Sequence, residues 1–336
     1  MSEGLDFSVI LPVYHSGRFL QEALSSLQGV DFPPERFEVI VSGGADDRSA
    51  RGIVEQAAAE ALFHMAYVDC ARPTRSARLN AACAAARGKV LAFSDDDCVF
   101  PRDWLRRVQA ACAQQEELGI LGGTDEAVSG SSVLNRAMEW TFRSFWAAGG
   151  SRTGRGLGAG RYYPHLWNMA MPREVAFAVA QRSDDGPLQV FNESFDVHED
   201  LELARRVEQA GRRLVFAPQV RVFHYRDTTF SELMRRNYAM AGTARALGTH
   251  RAPHVLLTGG LVGAVCLAAV SAAFPRALLV FLACVMLYGL LLAGSGLSAA
   301  VRTGDARVGA LVPAVVAGLH LVRAVGYVTA SRPKSL

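Results

Sequence analysis

Three aspartates in a row, Asp95-Asp96-Asp97, follow directly on the apolar run Lys89-Val-Leu-Ala-Phe-Ser. Adjacent carboxylates repel one another, and burying them unpaired is costly. Two arrangements relieve them: a solvated acidic turn, or a hard divalent cation such as Mg2+ or Mn2+ that also carries phosphate. A second acidic group, His198-Glu199-Asp200, opens the amphipathic pattern Leu201, Leu203, Ala204, Val207, Ala210 that ends at Gly211. On its own it reads first as a helix N-terminus, where acidic residues complement the dipole by about 0.3–1 kcal/mol. A third group, Val220-Arg-Val-Phe-His224, is a strand-like run closed by a histidine. A histidine in that position alone reads as structural before it reads as a ligand.

The elements that must position these groups are legible over residues 1–249. Phe7 to Pro12 is an apolar strand followed by a helical pattern through Gln28. Glu38-Val-Ile-Val is a second strand, and Asp46 to Leu62 a helix opened by acidic residues. Met65 to Asp69, Ser76 to Arg87, Lys89 to Phe93 and Pro101 to Glu117 continue the alternation as strand, helix, strand, helix. Repeated units at this spacing predict an α/β fold with a mostly parallel sheet flanked by helices. Ligands on such sheets bind outside the carboxyl ends of the strands. The Asp95–Asp97 triplet stands at one of those ends, which favours the cation.

Composition separates the rest of the chain. Of 336 residues half are apolar, so a sizeable core can be buried and a disordered chain is excluded. Residues 1–249 carry 28 Lys/Arg against 31 Asp/Glu, whereas residues 250–336 carry seven against one. Basic charge confined to an apolar tail points to a membrane surface, and no basic cluster with interleaved aromatics supports a nucleic-acid partner. Val255 to Phe274 is 20 residues without a charge and Ala277 to Val301 is 25. Each is long enough to cross about 30 Å of hydrocarbon as a helix. A third run, Val308 to Ala330, holds Pro313, His320 and Arg323 and reads as a span with Arg323 reaching for the interface, a re-entrant hairpin or an interfacial helix, the span being favoured. Arg245 and Arg251 before the first run and Arg302 and Arg307 after the second assign those flanks to the cytoplasm, although Arg332 and Lys334 fit a third span poorly. The expectation is a multi-pass protein of the cell (inner) membrane with its catalytic domain, residues 1–249, facing the cytoplasm and a membrane region, residues 250–336, of two or three helices. Six scattered cysteines without C-x-x-C spacing read as reduced thiols, and the N-terminus has no signal-type core.

Two further stretches carry alternatives. Ser131 to Trp146 reads equally as a core helix and as an interfacial helix lying on the bilayer. The glycine-rich stretch from Gly149 to Gly160 is not a phosphate-binding P-loop, because no Gly-Lys-Ser/Thr follows and no strand leads in. It is expected to be a loop over the acceptor site.

The motifs taken in order resemble the family-2 glycosyltransferases: Val-Ile-Leu-Pro-Val-Tyr near the start, a Gly-Gly-x-Asp-Asp turn, Ser-Ala-Arg-Leu-Asn, Phe-Ser-Asp-Asp-Asp-Cys before Pro-Arg-Asp-Trp-Leu, then Asn-Met-Ala, Glu-Asp, Ala-Gly-Arg-Arg and Val-Phe-His. The match runs over roughly residues 7–245 and is similar to the membrane-bound, succinoglycan-type exopolysaccharide branch. The resemblance implies the GT-A nucleotide-sugar fold and transfer from a nucleotide-diphosphate sugar. It implies that Pro12, Val13, Tyr14, Ser42, Asp69, Arg75, Asp95 and Asp96 bind the donor. It further implies that Asp97, Asp95 and His224 hold Mn2+ or Mg2+, and that Asp200 is the general base of an inverting reaction, supported by Glu199. Ser42 replaces the aspartate usual at the end of the second strand, which leaves the base of the donor open. The acceptor implied is a lipid-linked, polyprenyl-borne saccharide at the membrane; transfer to a polyprenyl phosphate is the alternative, and a non-catalytic sugar-nucleotide-binding protein the more remote one.

Overall fold

An apolar run without alternation makes a strand covered on both faces, and all six residues of β1 (Phe7–Pro12) are buried. The computed structural model describes residues 4–13, 19–128, 131–144, 162–182, 187–195, 197–225, 228–248, 251–271 and 273–330. The chain divides into two units, residues 1–128 with 162–225 and residues 129–161 with 226–336. This division cuts the chain elsewhere than at residue 249.

In the first unit the expected alternation is realised: α1 (Leu20–Gln28), β2 (Phe37–Gly44), α2 (Arg48–Glu60), β3 (His64–Cys70), α3 (Arg75–Ala85) and β4 (Val90–Ser94). Asp47 caps α2 by accepting from Ala50 N at 3.0 Å, and Thr74 caps α3 from Ala77 N at 3.3 Å. Both caps therefore start a helix just beyond a strand's carboxyl end. β5 (Cys98–Val99), α4 (Trp104–Ala113) and β6 (Leu118–Ala127) follow, before α5 (Val133–Arg143) of the second unit. The first unit resumes with β7 (Asn168–Pro172), α6 (Arg173–Ala178), the small pair β8 (Gln181–Arg182) and β9 (Leu188–Gln189), α7 (Glu199–Gln209) and β10 (Arg213–His224).

The main sheet has the order β3-β2-β1-β4-β7-β6-β10-β5. β1 to β4 are parallel, as expected, but β7 enters antiparallel to both β4 and β6. Asn168 makes this insertion possible. Its amide nitrogen donates to Thr124 O at 2.9 Å and Val220 O at 3.1 Å, and its oxygen accepts from Trp104 Nε1 at 3.1 Å. Gly123 is required beside it, since a Cβ there would lie 2.2 Å from the Asn168 amide nitrogen. Register then aligns Pro12 with Ser42, Ser42 with Val68, Ser94 with Asn168 and His224 with Cys98. Apolar side chains from both faces of the sheet, among them Val9, Val41, Trp104 and Val222 on one and Ile10, Leu79, Phe93 and Leu203 on the other, form the core.

In the second unit α5 buries Ala137, Met138 and Phe142 against α8 (Phe230–Leu247) and the C-terminal helices, so core packing is the role its described residues play. α9 (Arg251–Ser271), α10 (Pro275–Thr303) and α11 (Ala306–Thr329) complete the unit. Gly296 and Gly309 let α10 and α11 approach until a Cβ on either would lie 2.6–2.7 Å from the other's carbonyl oxygen. Two of these helices, α10 and α11, are long and apolar enough to cross a membrane. α9 is 21 residues long, and among its described side chains the apolar stretch is Val255–Ser271. The Arg323 guanidinium donates to Asn237 Oδ1 at 2.8 and 3.0 Å and lies 6.0 Å from the Phe142 ring.

The buried Glu38 on β2 accepts from Ser8 Oγ at 2.7 Å and from Arg87 through its backbone N and its guanidinium at 2.6–2.9 Å. Burial raises its carboxyl, but these bonds outweigh it and hold the group below the ordinary glutamate value. Glu38→Gln is expected to cost about 1–2 kcal/mol in urea denaturation at pH 7. Because the folded value is depressed, that contribution is present above the unfolded value and is lost as pH falls through the folded one. The gap between wild type and variant should therefore close in acid.

Candidate functional site

Arg75 is the first residue of α3, a short connection beyond the carboxyl end of β3, and the helix start aims it across the neighbouring strand ends. Its guanidinium pairs with Asp95 and lies 3.4 Å from Glu199 Oε1. Burial disfavours its charge, but Asp95, Glu199 and Asp200 more than compensate and raise its pKa. One cation thus joins the acidic turn after β4 to the start of α7, two groups 104 residues apart in sequence.

On the other side of Asp95 stands His224, the last residue of β10. Its Nε2 is 3.0 Å from Asp97 Oδ1 and 4.0 Å from Asp95 Oδ2. Burial pushes the Asp97 carboxyl up, yet His224, through its charge and hydrogen bond, and Arg75 hold it below the ordinary aspartate value. Two residues that sequence reasoning missed complete this corner. Asp125 of β6, 2 % exposed, faces His224 Nδ1 at 3.4 Å. The buried Cys98 offers its sulfur within 4.8 Å of the Asp97 and His224 ligand atoms, but burial and the neighbouring carboxylates raise the thiol, which favours its protonated form. No spacing rule ties Asp125 to His224, 99 residues later; only the adjacency of β6 and β10 does.

Glu199 and Asp200 open α7 behind His198, whose φ of 63° is left-handed, an uncommon conformation for a residue with a Cβ. The two carboxyls are driven apart. Burial raises Glu199 to about 7, against the charge of Arg75 and with the help of Asp200 and Asp95. Burial also opposes ionisation of Asp200, but His165, 3.7 Å away, together with His198 and Arg75, brings it down to about 2. Asp200 also accepts from Leu166 N at 3.3 Å and Leu201 N at 2.8 Å. His165 is the third residue that motif reading overlooked.

The site residues expected from the resemblance divide into two sets. Arg75, Asp95, Asp97, Glu199, Asp200 and His224 are brought together. Asp96 stands in the same turn, partly exposed. Pro12 and Val13 close β1, with Val13 N donating to Ser42 O at 2.8 Å and Arg78 donating to Val13 O. Ser42 is fully buried and its hydroxyl has no hydrogen-bond partner among the described residues. Asp69 is half exposed and engaged by Arg51, away from the triplet's ion pairs. Tyr14, Phe145, Trp146, Gly149 to Gly160, Arg332 and Lys334 lie outside the described residues.

Comparison with known proteins addresses family and fold. Residues 5–243 match the family model "Glycosyltransferase like family 2". The chain is 26 % identical over 273 residues to succinoglycan biosynthesis protein ExoM of Rhizobium meliloti, spanning 77 % of this chain and 82 % of that one. It is 24 % identical over 256 residues to glycosyltransferase AglE of Haloferax volcanii, spanning 71 % and 73 %. Among solved structures, mannosyltransferase PcManGT from Pyrobaculum calidifontis, in complex with GDP-Man and Mn2+, superposes with a TM-score of 0.58 at 18 % identity, over 94 % of this chain and 86 % of that one, a likeness of fold.

Two stability measurements probe the site in the presence of chelator. Arg75→Met leaves two largely buried carboxylates without their cation and should cost about 3 kcal/mol or more in denaturant melts. Glu199, raised in the folded state, holds a proton there that the unfolded chain releases. Its contribution therefore falls as pH rises from the ordinary glutamate value towards about 7. Glu199→Gln should remove that downward slope, visible as a Tm that varies less across this window.

Proposed function

The chain belongs to glycosyltransferase family 2, with the GT-A fold, and from that premise we propose that it is an inverting, metal-dependent transferase. It moves a sugar from a nucleotide-diphosphate donor to a membrane-associated, polyprenyl-linked saccharide in cell-surface glycan synthesis. The observation that carries this reading is the single cluster of Asp95, Asp97 and His224 beside Glu199 and Asp200 at the carboxyl edge of the sheet.

The donor set fits a divalent cation. Two carboxylates and an imidazole suit Mn2+ or Mg2+, and the 3.0 Å between Asp97 Oδ1 and His224 Nε2 is close to the spacing of neighbouring ligand atoms on an ion with bonds of about 2.1 Å. Asp97, Asp95 and His224 would hold it, and when bound it would neutralise charge gathering on the departing diphosphate. Asp200 does the proton chemistry. Held ionised down to about 2, it is in its accepting form at any physiological pH. It takes the proton of the acceptor hydroxyl as that oxygen bonds to the anomeric carbon. The bond from that carbon to the diphosphate oxygen breaks on the opposite face, and its electron pair leaves with the nucleoside diphosphate. Arg75 and His165 hold the carboxylates in place throughout.

Membrane attachment is supported by α10, whose Leu279, Leu287 and Leu290 are all more than 60 % exposed, and by α11. The flanking arginines favour a multi-pass arrangement in the cell membrane with the transferase unit in the cytoplasm, where a water-soluble donor meets a lipid-borne acceptor. The succinoglycan biosynthesis relative supports an exopolysaccharide role.

Asp200→Asn is expected to reduce turnover by about 10²–10⁴-fold while leaving donor affinity within about threefold. Single-turnover assays with lipid-linked acceptor and thermal shifts with a panel of nucleotide sugars and Mn2+ measure the two separately. Wild-type turnover in the variant would remove Asp200 from its role, and a lipid monophosphate sugar as product would replace the saccharide acceptor by a polyprenyl phosphate.

A further inference from the structure

A buried carboxylate is costly unless something on hand uses its charge. Asp125 is 2 % exposed in the middle of the sheet, two residues short of the position on β6 that pairs with His224. Paired residues on parallel strands share a face, so Asp125, level with Val222, looks diagonally along the sheet at the His224 ring. That ring is flanked by carboxylates at both nitrogens: Asp97 at 3.0 Å from Nε2 and Asp125 at 3.4 Å from Nδ1. A neutral imidazole carries one N–H and one lone pair. If Nε2 carries the proton it donates to Asp97, and neither group then offers that electron pair to a cation. If Nδ1 carries it, Asp125 accepts and Nε2 is left as a ligand.

We propose that Asp125 is a positioning residue for cation binding: its carboxylate accepts the Nδ1–H of His224, fixing the tautomer and ring orientation that present the Nε2 lone pair beside Asp95 and Asp97. The inference rests on the metal reading above and adds to it a residue outside the proposed ligand set, in contact with His224. Carboxylate–histidine pairs of this kind typically change metal affinity by about 10–100-fold.

The experiment uses the full-length protein in nanodiscs. Mn2+ binding is titrated by electron paramagnetic resonance without donor, for wild type, Asp125→Asn, His224→Gln and the double variant. The expected result is a loss of affinity of about 10–100-fold in Asp125→Asn, a metal-free Tm close to wild type, and no further loss when Asp125→Asn is added to His224→Gln. Affinity within twofold of wild type in Asp125→Asn, or an undiminished loss in the His224→Gln background, overturns the inference while leaving the metal reading intact. Absence of Mn2+ binding in wild type overturns both. A second measurement needs no folded Asp125 variant: nitrogen-15 spectra of histidine-labelled wild type with Mg2+, with His224 assigned by its loss in His224→Gln. An Nδ1–H tautomer is expected, and an Nε2–H tautomer overturns the proposal.

Discussion

The Arg75 guanidinium lies between the carboxylates of Asp95 and Glu199, and the rest of the site depends on that position. Asp95, Asp97, Glu199 and Asp200 are four acidic groups gathered at one sheet edge. Like charges about 4 Å apart repel by about 4 kcal/mol at an effective dielectric near 20. A fixed cation lets two of these groups be buried together. His224 and His165 stand on the two flanks, beside Asp97 and Asp200. The environment then sorts the carboxyls by burial and partner. Glu199 is pushed towards neutrality, whereas Asp200 and Asp97 are kept ionised. Divergent values in neighbouring acids are what a site needs in order to hold charge in one place and accept a proton in another.

Strand ends do the positioning. A short connection joins β3 to the cap of α3, so the helix start sets where Arg75 points. The triplet is set by the end of β4 and the imidazole by the end of β10, and these strands are neighbours only through β7 and β6. Asn168 bonds to carbonyls of both β6 and β10, so the antiparallel strand that interrupts the sheet also brings its distant half to the triplet.

The helical unit follows a different logic. Its close contacts are made by glycines, Gly296 on Gly309 and Gly326 on the Tyr238 backbone. Arg323 of the apolar α11 donates to Asn237 Oδ1 within the unit. Apolar run length identified α10 and α11 as possible spans. The amphipathic pattern of α5 was equally compatible with lipid and with protein, since periodicity reports an apolar face without naming what covers it.

Local order along the chain determined a good deal by itself. The strand–helix alternation from Phe7 to Ala113, the caps at Asp47 and Thr74, and the acidic turn after the fourth strand all follow from nearest-neighbour chemistry, and short-range patterns encode that chemistry directly. The ordered motifs likewise pointed to Asp95, Asp97, Asp200 and His224. Tertiary structure alone decided which of these groups meet. It set Arg75 against two carboxylates at once, separated Asp69 by giving it to Arg51, placed His165 on Asp200 and brought Asp125 beneath His224. The physical reason is that electrostatic pairing depends on distance in space, and strand order and register, which no local pattern carries, convert separations of about a hundred residues into contacts of 3–4 Å.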